Sequence, residues 1–403
     1  MKYEDLFKTL KQSFDSTNDR LVIDSLSIKL TKLPFKSKSI HFLPGAESYY
    51  CKEHDKIFVN LETSDNKNDT LSVSDFDIEC NRSFNIYLFQ NQNAINSKGV
   101  IILFHGLNEK SWAKYLPWAY KLVKQTGKTV VLFPLAFHMD RAENTWSDRR
   151  QMQLISDQRK SEHNNTHSSF VNAAISSRLA SQPERIFWSG CQTLEDFKNF
   201  IQLIRYGKIE NVSADAGVDI FGYSIGAFFG LFLMMANPGN ELSNSKFIAF
   251  CGGTVLDRMF PISKYILDMN ATINMQSYYA ELIKNDFRFN PRFEHFISNQ
   301  HREQSFFRMI LQYNYLKIER EKRIKEISNQ IYALALEKDE VVPPEEILNT
   351  LKGGYRNIQT KVEILDASFN YDHVQPFPIK VNHSNEIDDF FNEIMERASS
   401  FLN

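Results

Sequence analysis

Residues 217–236 read Gly-Val-Asp-Ile-Phe-Gly-Tyr-Ser-Ile-Gly-Ala-Phe-Phe-Gly-Leu-Phe-Leu-Met-Met-Ala, and this stretch decides the fold. A short apolar run, Val218 to Phe221, meets Gly222-Tyr223-Ser224-Ile225-Gly226, and a continuous apolar helix-like stretch follows. The pattern predicts a strand, a sharp turn and a helix, with Ser224 at the apex. Gly222 and Gly226 have no side chains, so strand and helix can approach to near contact while Ser224 takes a strained backbone conformation. A turn of that kind lifts the serine hydroxyl above the sheet edge, where a base can reach it.

Working outward, the same rhythm repeats. Gly99–Phe104 is a buried-type strand that ends at His105-Gly106-Leu107-Asn108. An amphipathic helix follows, with Trp112, Tyr115, Leu116, Ala119, Leu122 and Val123 on one face and Gly127 as stop signal. Further buried strands are expected at Thr129–Phe133, Lys246–Cys251, Gln330–Leu336 and Lys361–Leu365, with helices at 345–351 and 386–401. A helix is expected over 192–207, with Thr193 and Asp196 at capping-box spacing. Leu71–Glu79 and Phe84–Phe89 read as an antiparallel pair.

Strands that alternate with helices and end in apolar runs predict an α/β fold, a mostly parallel central sheet with helices on both faces. Ligands in such sheets bind at the carboxyl ends of the strands. The expected organisation is an N-terminal extension at 1–68 and a core at 69–253 and 329–403. The core carries a polar insertion at 135–190, and a helical insertion spans 254–328.

A serine hydroxyl is a weak nucleophile at neutral pH and needs a base, an orienting acid and donors for an oxyanion. His373 and His383 are the histidines after the last strand, and His373 sits nearer its end, in Asn370-Tyr371-Asp372-His373. The acid is expected after the strand 330–336, where Asp339 precedes Val341-Val342-Pro343, with Glu337 in reserve. Backbone N–H groups of Ile225 and Leu107 are the candidate oxyanion donors, and His105 is read as a structural residue of that loop.

The order serine, acid, histidine, with a His-Gly loop upstream, resembles the α/β-hydrolase superfamily. The matching residues are His105-Gly106-Leu107, Gly222-Tyr223-Ser224-Ile225-Gly226, Asp339 with Val341-Val342-Pro343, and His373. The longer strings HGLNEKSWAKYLPWA, LFPLAFHMDRAENTW and FGYSIGA look like a bacterial family within that superfamily. The resemblance implies a serine hydrolase of esterase or lipase type, acting through an acyl-enzyme with Ser224, His373 and Asp339, without metal or organic cofactor. Acyl transfer, peptide cleavage and a non-catalytic binding role on the same fold stay open as alternatives. The implied partner is a small-molecule acyl substrate, with the segment 254–328 as a lid over it.

Composition narrows the rest. Over 403 residues the net charge is −2 and 24% of residues are charged, so nothing resembles a basic nucleic-acid footprint. No run approaches transmembrane length, so no stable membrane insertion is expected. Cys51, Cys80, Cys191 and Cys251 lie far apart with no C-x-x-C pair. That spacing reads as reduced thiols of a cytoplasmic protein, and neither a disulfide framework nor a zinc site. Tyr223, His138, Arg141 and Trp146 are candidate substrate-binding residues, the last three because they follow the strand 129–133 on the active-site side. Ser161–His167 offers two histidines four apart and no third metal ligand.

Overall fold

The computed structural model describes residues 1–14, 19–46, 48–59, 71, 73–288, 290–379 and 383–403. Eleven strands are found among them: β1 (Arg20–Ile23), β2 (Ile28–Lys36), β3 (Ser48–Cys51), β4 (Lys56–Val59), β5 (Ser83–Asn91), β6 (Ser97–Phe104), β7 (Thr129–Leu132), β8 (Val212–Tyr223), β9 (Phe247–Phe250), β10 (Ile331–Leu336) and β11 (Lys361–Leu365). Nine form one sheet in the order β1-β2-β5-β7-β6-β8-β9-β10-β11, and β3 and β4 form a separate hairpin. The six strands from β7 to β11 in that order are mutually parallel, while β1, β2 and β5 join antiparallel at one edge.

Strand period 2 divides the core in two. Val100, Ile102 and Phe104 of β6 face one side with Val218 and Ile220 of β8, and there the helices Arg185–Arg205 and Ile225–Ala236 cover them. Ile101 and Leu103 face the other side with Phe221 and Tyr223, under the helices Tyr3–Phe14, Leu116–Thr126 and Ser384–Leu402. Both faces of the central strands are therefore apolar, which is why those strands read as continuous hydrophobic runs. The architecture is the expected α/β one.

Three expectations need correction. Leu71–Glu79 is not a strand: Asp75–Asp77 is a 3-10 turn and Glu79–Arg82 a short helix, residue 72 lying outside the described residues. The antiparallel partners of β5 are β2 and β7, so residues 20–36, read as part of an N-terminal extension, belong to the main sheet. The helix expected at 192 begins at Arg185, which puts Thr193 and Asp196 in its interior with no capping role.

The segments 135–190 and 254–328 pack on each other above the sheet. Arg159, in the helix Arg149–His163, grips Asp268 through two nitrogens at 2.6 and 2.8 Å. Asp268 is also the N-cap of the helix Met269–Lys284, accepting from Ala271 N–H, and its own N–H donates to Ser176.

Candidate active site

The parallel strands deliver their loops to one edge. β8 ends at Tyr223, and Ser224 follows with φ 56° and ψ −120° before the helix Ile225–Ala236 begins. A non-glycine residue in that region is strained, and close packing holds it there. A Cβ on Gly222 would lie 2.5 Å from the Gly226 carbonyl oxygen, and one on Gly226 would lie 2.6 Å from that of Phe104. The two glycines thus let β8, β6 and the helix meet at the serine. Ser224 N–H donates to Phe250 O of β9 at 3.1 Å, tying the turn to the neighbouring strand.

Ser224, His373 and Asp339 come together from three loops. His373 Nε2 lies 2.7 Å from Ser224 Oγ, and His373 Nδ1 lies 2.7 Å from Asp339 Oδ2. Asp339 accepts from the Val341 and Val342 N–H groups through its other oxygen, at 3.0 and 2.9 Å. These two bonds are what the Val-Val-Pro loop contributes: it folds back and fixes the carboxylate. All three side chains are buried. Glu337 is exposed, and His383 pairs with Glu386 at the start of the last helix, 3.6 Å away, so neither reserve candidate joins the group.

Leu107 and Ile225 flank the serine, and among the described residues neither N–H has a hydrogen-bond acceptor. For Ile225 this follows from its place in the first turn of a helix, where N–H groups lack intrahelical partners and the dipole favours negative charge. His105 shapes the Leu107 loop. Its Nε2 accepts from Leu135 N–H at 3.0 Å, so Nδ1 carries the proton and donates to Gly106 O at 2.8 Å. Burial pushes its pKa well below the ordinary value, which keeps the ring neutral.

Sequence reasoning missed the clamp around this loop. Gly106 N–H donates to the Tyr115 hydroxyl at 2.8 Å, and Lys114 donates to Val374 O at 3.1 Å while lying over the Tyr223 ring. The hydroxyl of Tyr223 donates to His373 O. The backbone at the histidine and just after it is thereby held by two side chains. The only signal was proximity: Lys114 and Tyr115 come eight and nine residues after Gly106 in HGLNEKSWAKY.

The substrate-binding candidates separate. His138 and Trp146 line a cavity enclosing about 1100 Å³ including its open mouth. Arg141 does not line it. Its side chain is fully buried, with Asp196 at 2.9 Å and further bonds to Asn81 and Pro134 O, so the binding role expected of it is corrected to a structural one. Tyr223 borders a smaller hollow with Ser224 and His373.

The large cavity is apolar, built mostly by residues 135–191 and by Phe228, Phe229 and Phe232 of the helix after Ser224. From 254–328 it takes only Phe307. It reaches Leu107 and Ile225 and stops short of Ser224, which lies in a second hollow lined by Leu256, Met259, Ile266, Met275 and Val342.

One further cluster lies apart from this site. Cys51, His54, His295 and His301 bring one ligand atom each within 4.8 Å of one another, contrary to the reading of Cys51 as an isolated thiol. Among the described residues no helix is long and apolar enough to cross a membrane.

The sequence matches the family described as "Family of unknown function (DUF6051)" over residues 1–403, and the chain belongs to it. No curated protein matches the sequence significantly. Among solved structures, an esterase from Pseudomonas putida is 8% identical, covering all of this chain and 91% of its own, with a TM-score of 0.46. A cold-adapted esterase from an Arctic intertidal metagenomic library is 9% identical over 96% of this chain and 99% of its own, at 0.42. Carboxyl esterase 2 of the fungus Tuber melanosporum is 10% identical over 80% and 82%, at 0.39.

Proposed function

We propose that this member of DUF6051 is a serine hydrolase of the α/β-hydrolase superfamily that cleaves a carboxylic ester or related acyl bond. One observation carries the reading: the hydrogen-bond relay from Asp339 through His373 to a strained Ser224, with 2.7 Å at both links. A buried carboxylate, imidazole and hydroxyl in that order have a direct chemical use. The imidazole takes the serine proton as Ser224 Oγ attacks the carbonyl carbon, and Asp339 stabilises the imidazolium that forms. The negative oxygen of the tetrahedral intermediate is met by the N–H groups of Leu107 and Ile225. Collapse expels the alcohol with the proton from His373, and water repeats the sequence to free the acid and Ser224.

The substrate this site fits is an ester with an apolar acyl or alcohol group, because the space beside Leu107 and Ile225 is apolar and lined by aromatic side chains. The packed segments 135–190 and 254–328 act together as a lid that keeps bulk water from the acyl-enzyme. A fluorophosphonate probe tests the nucleophile. The wild-type chain is expected to label at one site. Ser224→Ala should abolish labelling and lower hydrolysis of an activated ester about 10⁴-fold or more, with an unchanged melting temperature. Near wild-type turnover in that variant would remove the assignment.

A further inference from the structure

We propose that Cys51, His54, His295 and His301 form a structural zinc site that pins the hairpin β3–β4 to the helical segment beginning at Pro291. Cys51 and His301 are 250 residues apart in the chain, yet Cys51 Sγ lies 3.6 Å from His301 Nε2 and 3.5 Å from His54 Nδ1. In a tetrahedral centre with Zn–S about 2.3 Å and Zn–N about 2.0–2.1 Å, sulfur and nitrogen ligands stand about 3.6 Å apart and nitrogen pairs about 3.4 Å apart. The two sulfur–nitrogen separations match the edges of such a tetrahedron. His301 Nε2 and His295 Nε2 are 2.9 Å apart, so a bound ion would spread this pair slightly.

Three features beyond spacing point to a metal. Cys51, His295 and His301 are buried, so their ligand atoms meet in a pocket shielded from solvent. Behind His301, the Glu53 carboxylate stands 3.6 Å from Nδ1, on the side from which a carboxylate orients a zinc-bound imidazole once it closes to hydrogen-bond distance. The hairpin is otherwise held mainly by the half-buried rings of Tyr49 and Phe58, which pack on Phe296. Its strands are four residues each, and from Ser48 to Val59 only Cys51 is buried, while Ile57 and Val59 are exposed. A two-stranded hairpin resting on two half-buried rings is marginal in water, so a cross-link at its one buried residue has a clear mechanical purpose. Four protein ligands leave no open position, which makes the site structural. Binding displaces the Cys51 thiol proton to solvent, and Zn²⁺ takes the thiolate and three neutral nitrogens without a redox step.

The test uses the full-length chain purified without a polyhistidine tag. Atomic emission after dialysis in metal-free buffer should find about one zinc per chain, and a strong chelator should lower the melting temperature. Cys51→Ser and His301→Ala should each cut the retained zinc by about tenfold or more while keeping a cooperative melting transition. Should those variants fail to fold, the wild-type chain reconstituted with Co²⁺ decides. A tetrahedral d–d spectrum with a thiolate charge-transfer band, lost on alkylation of Cys51 in the apo chain, is the expected result. Absence of retained metal with no thermal shift on adding Zn²⁺ would overturn the site, as would full zinc content in Cys51→Ser. Stoichiometric copper or iron in place of zinc would overturn the choice of metal.

Discussion

At Gly190, in the helix Arg185–Arg205, an added Cβ would meet nothing within 4 Å, and the residue borders the large apolar cavity. Gly190→Leu should therefore fill that space from a position already helical, gaining about 0.5–1 kcal/mol of stability from helix propensity. If the cavity receives the acyl chain, the variant should lose activity on long-chain esters and keep it on acetates. Activity against a chain-length series together with the urea midpoint reads both effects.

His138 is the second case at this scale. Burial lowers its pKa from 6.5 to about 4, with its Nδ1 2.9 Å from Ala136 O. Between those values the unfolded chain binds a proton that the folded chain refuses. Stability thus rises with pH across the window from about 4 to 6.5 and is fully present above it. Melting temperature against pH should show that slope, and His138→Gln should reduce it, the remainder coming from groups such as His41 and His105, whose pKa values burial also lowers.

Ser224, His373 and Asp339 were legible because each sits just past the end of a strand that the apolar runs identify. Arg141 was not: in sequence it stands in a polar stretch that looks exposed, and only the fold shows Asp196 opposite it. Cys51 misled because two of its three neighbours, His295 and His301, lie on a distant segment, and His54 alone three residues away makes no metal signature.

Among elements, the most consequential is the buried network where the helix Arg185–Arg205 meets the loop after β7. Arg141 and Asp196 are both fully buried, and Asn81 connects them to the rest of the cluster through Gln192, whose amide donates to Ser37. Desolvation works against both charges: it lowers the Arg141 pKa and raises that of Asp196. Their mutual pairing offsets it, helped by the Ser37 hydroxyl at Asp196 and by Asn81 and Pro134 O at Arg141. Asp196→Ala should leave an uncompensated guanidinium and cost about 3–5 kcal/mol, read as a shift in the urea midpoint without change in slope. The misread strand at Leu71–Glu79 belongs to the same region. Its alternating pattern imitates a strand, whereas Asp75 points inward to accept from Arg178 and, at 2.9 Å, from Arg185. Conversely β2 was hidden because Pro34 argues against a central strand. β1 pairs only with Ile28–Thr31, so Pro34 lies where β2 is an edge and no N–H is required.

Across the whole molecule, the first and last helices lie side by side. Tyr3 N–H donates to Asp388 at 2.5 Å, Lys2 donates to Ser384 at 3.0 Å, and the rings of Tyr3 and Phe391 are 4.6 Å apart. During synthesis this arrangement imposes a wait. The apolar stripe Tyr3, Leu6 and Leu10 is made long before Ser384–Leu402, one of the two helices that shelter it. At about 5–20 residues per second the delay is roughly 20–80 s. Until then that face of the growing sheet has only the helices Tyr3–Phe14 and Leu116–Thr126 over it, and the nascent chain is a client for whatever holdase can mask the remainder.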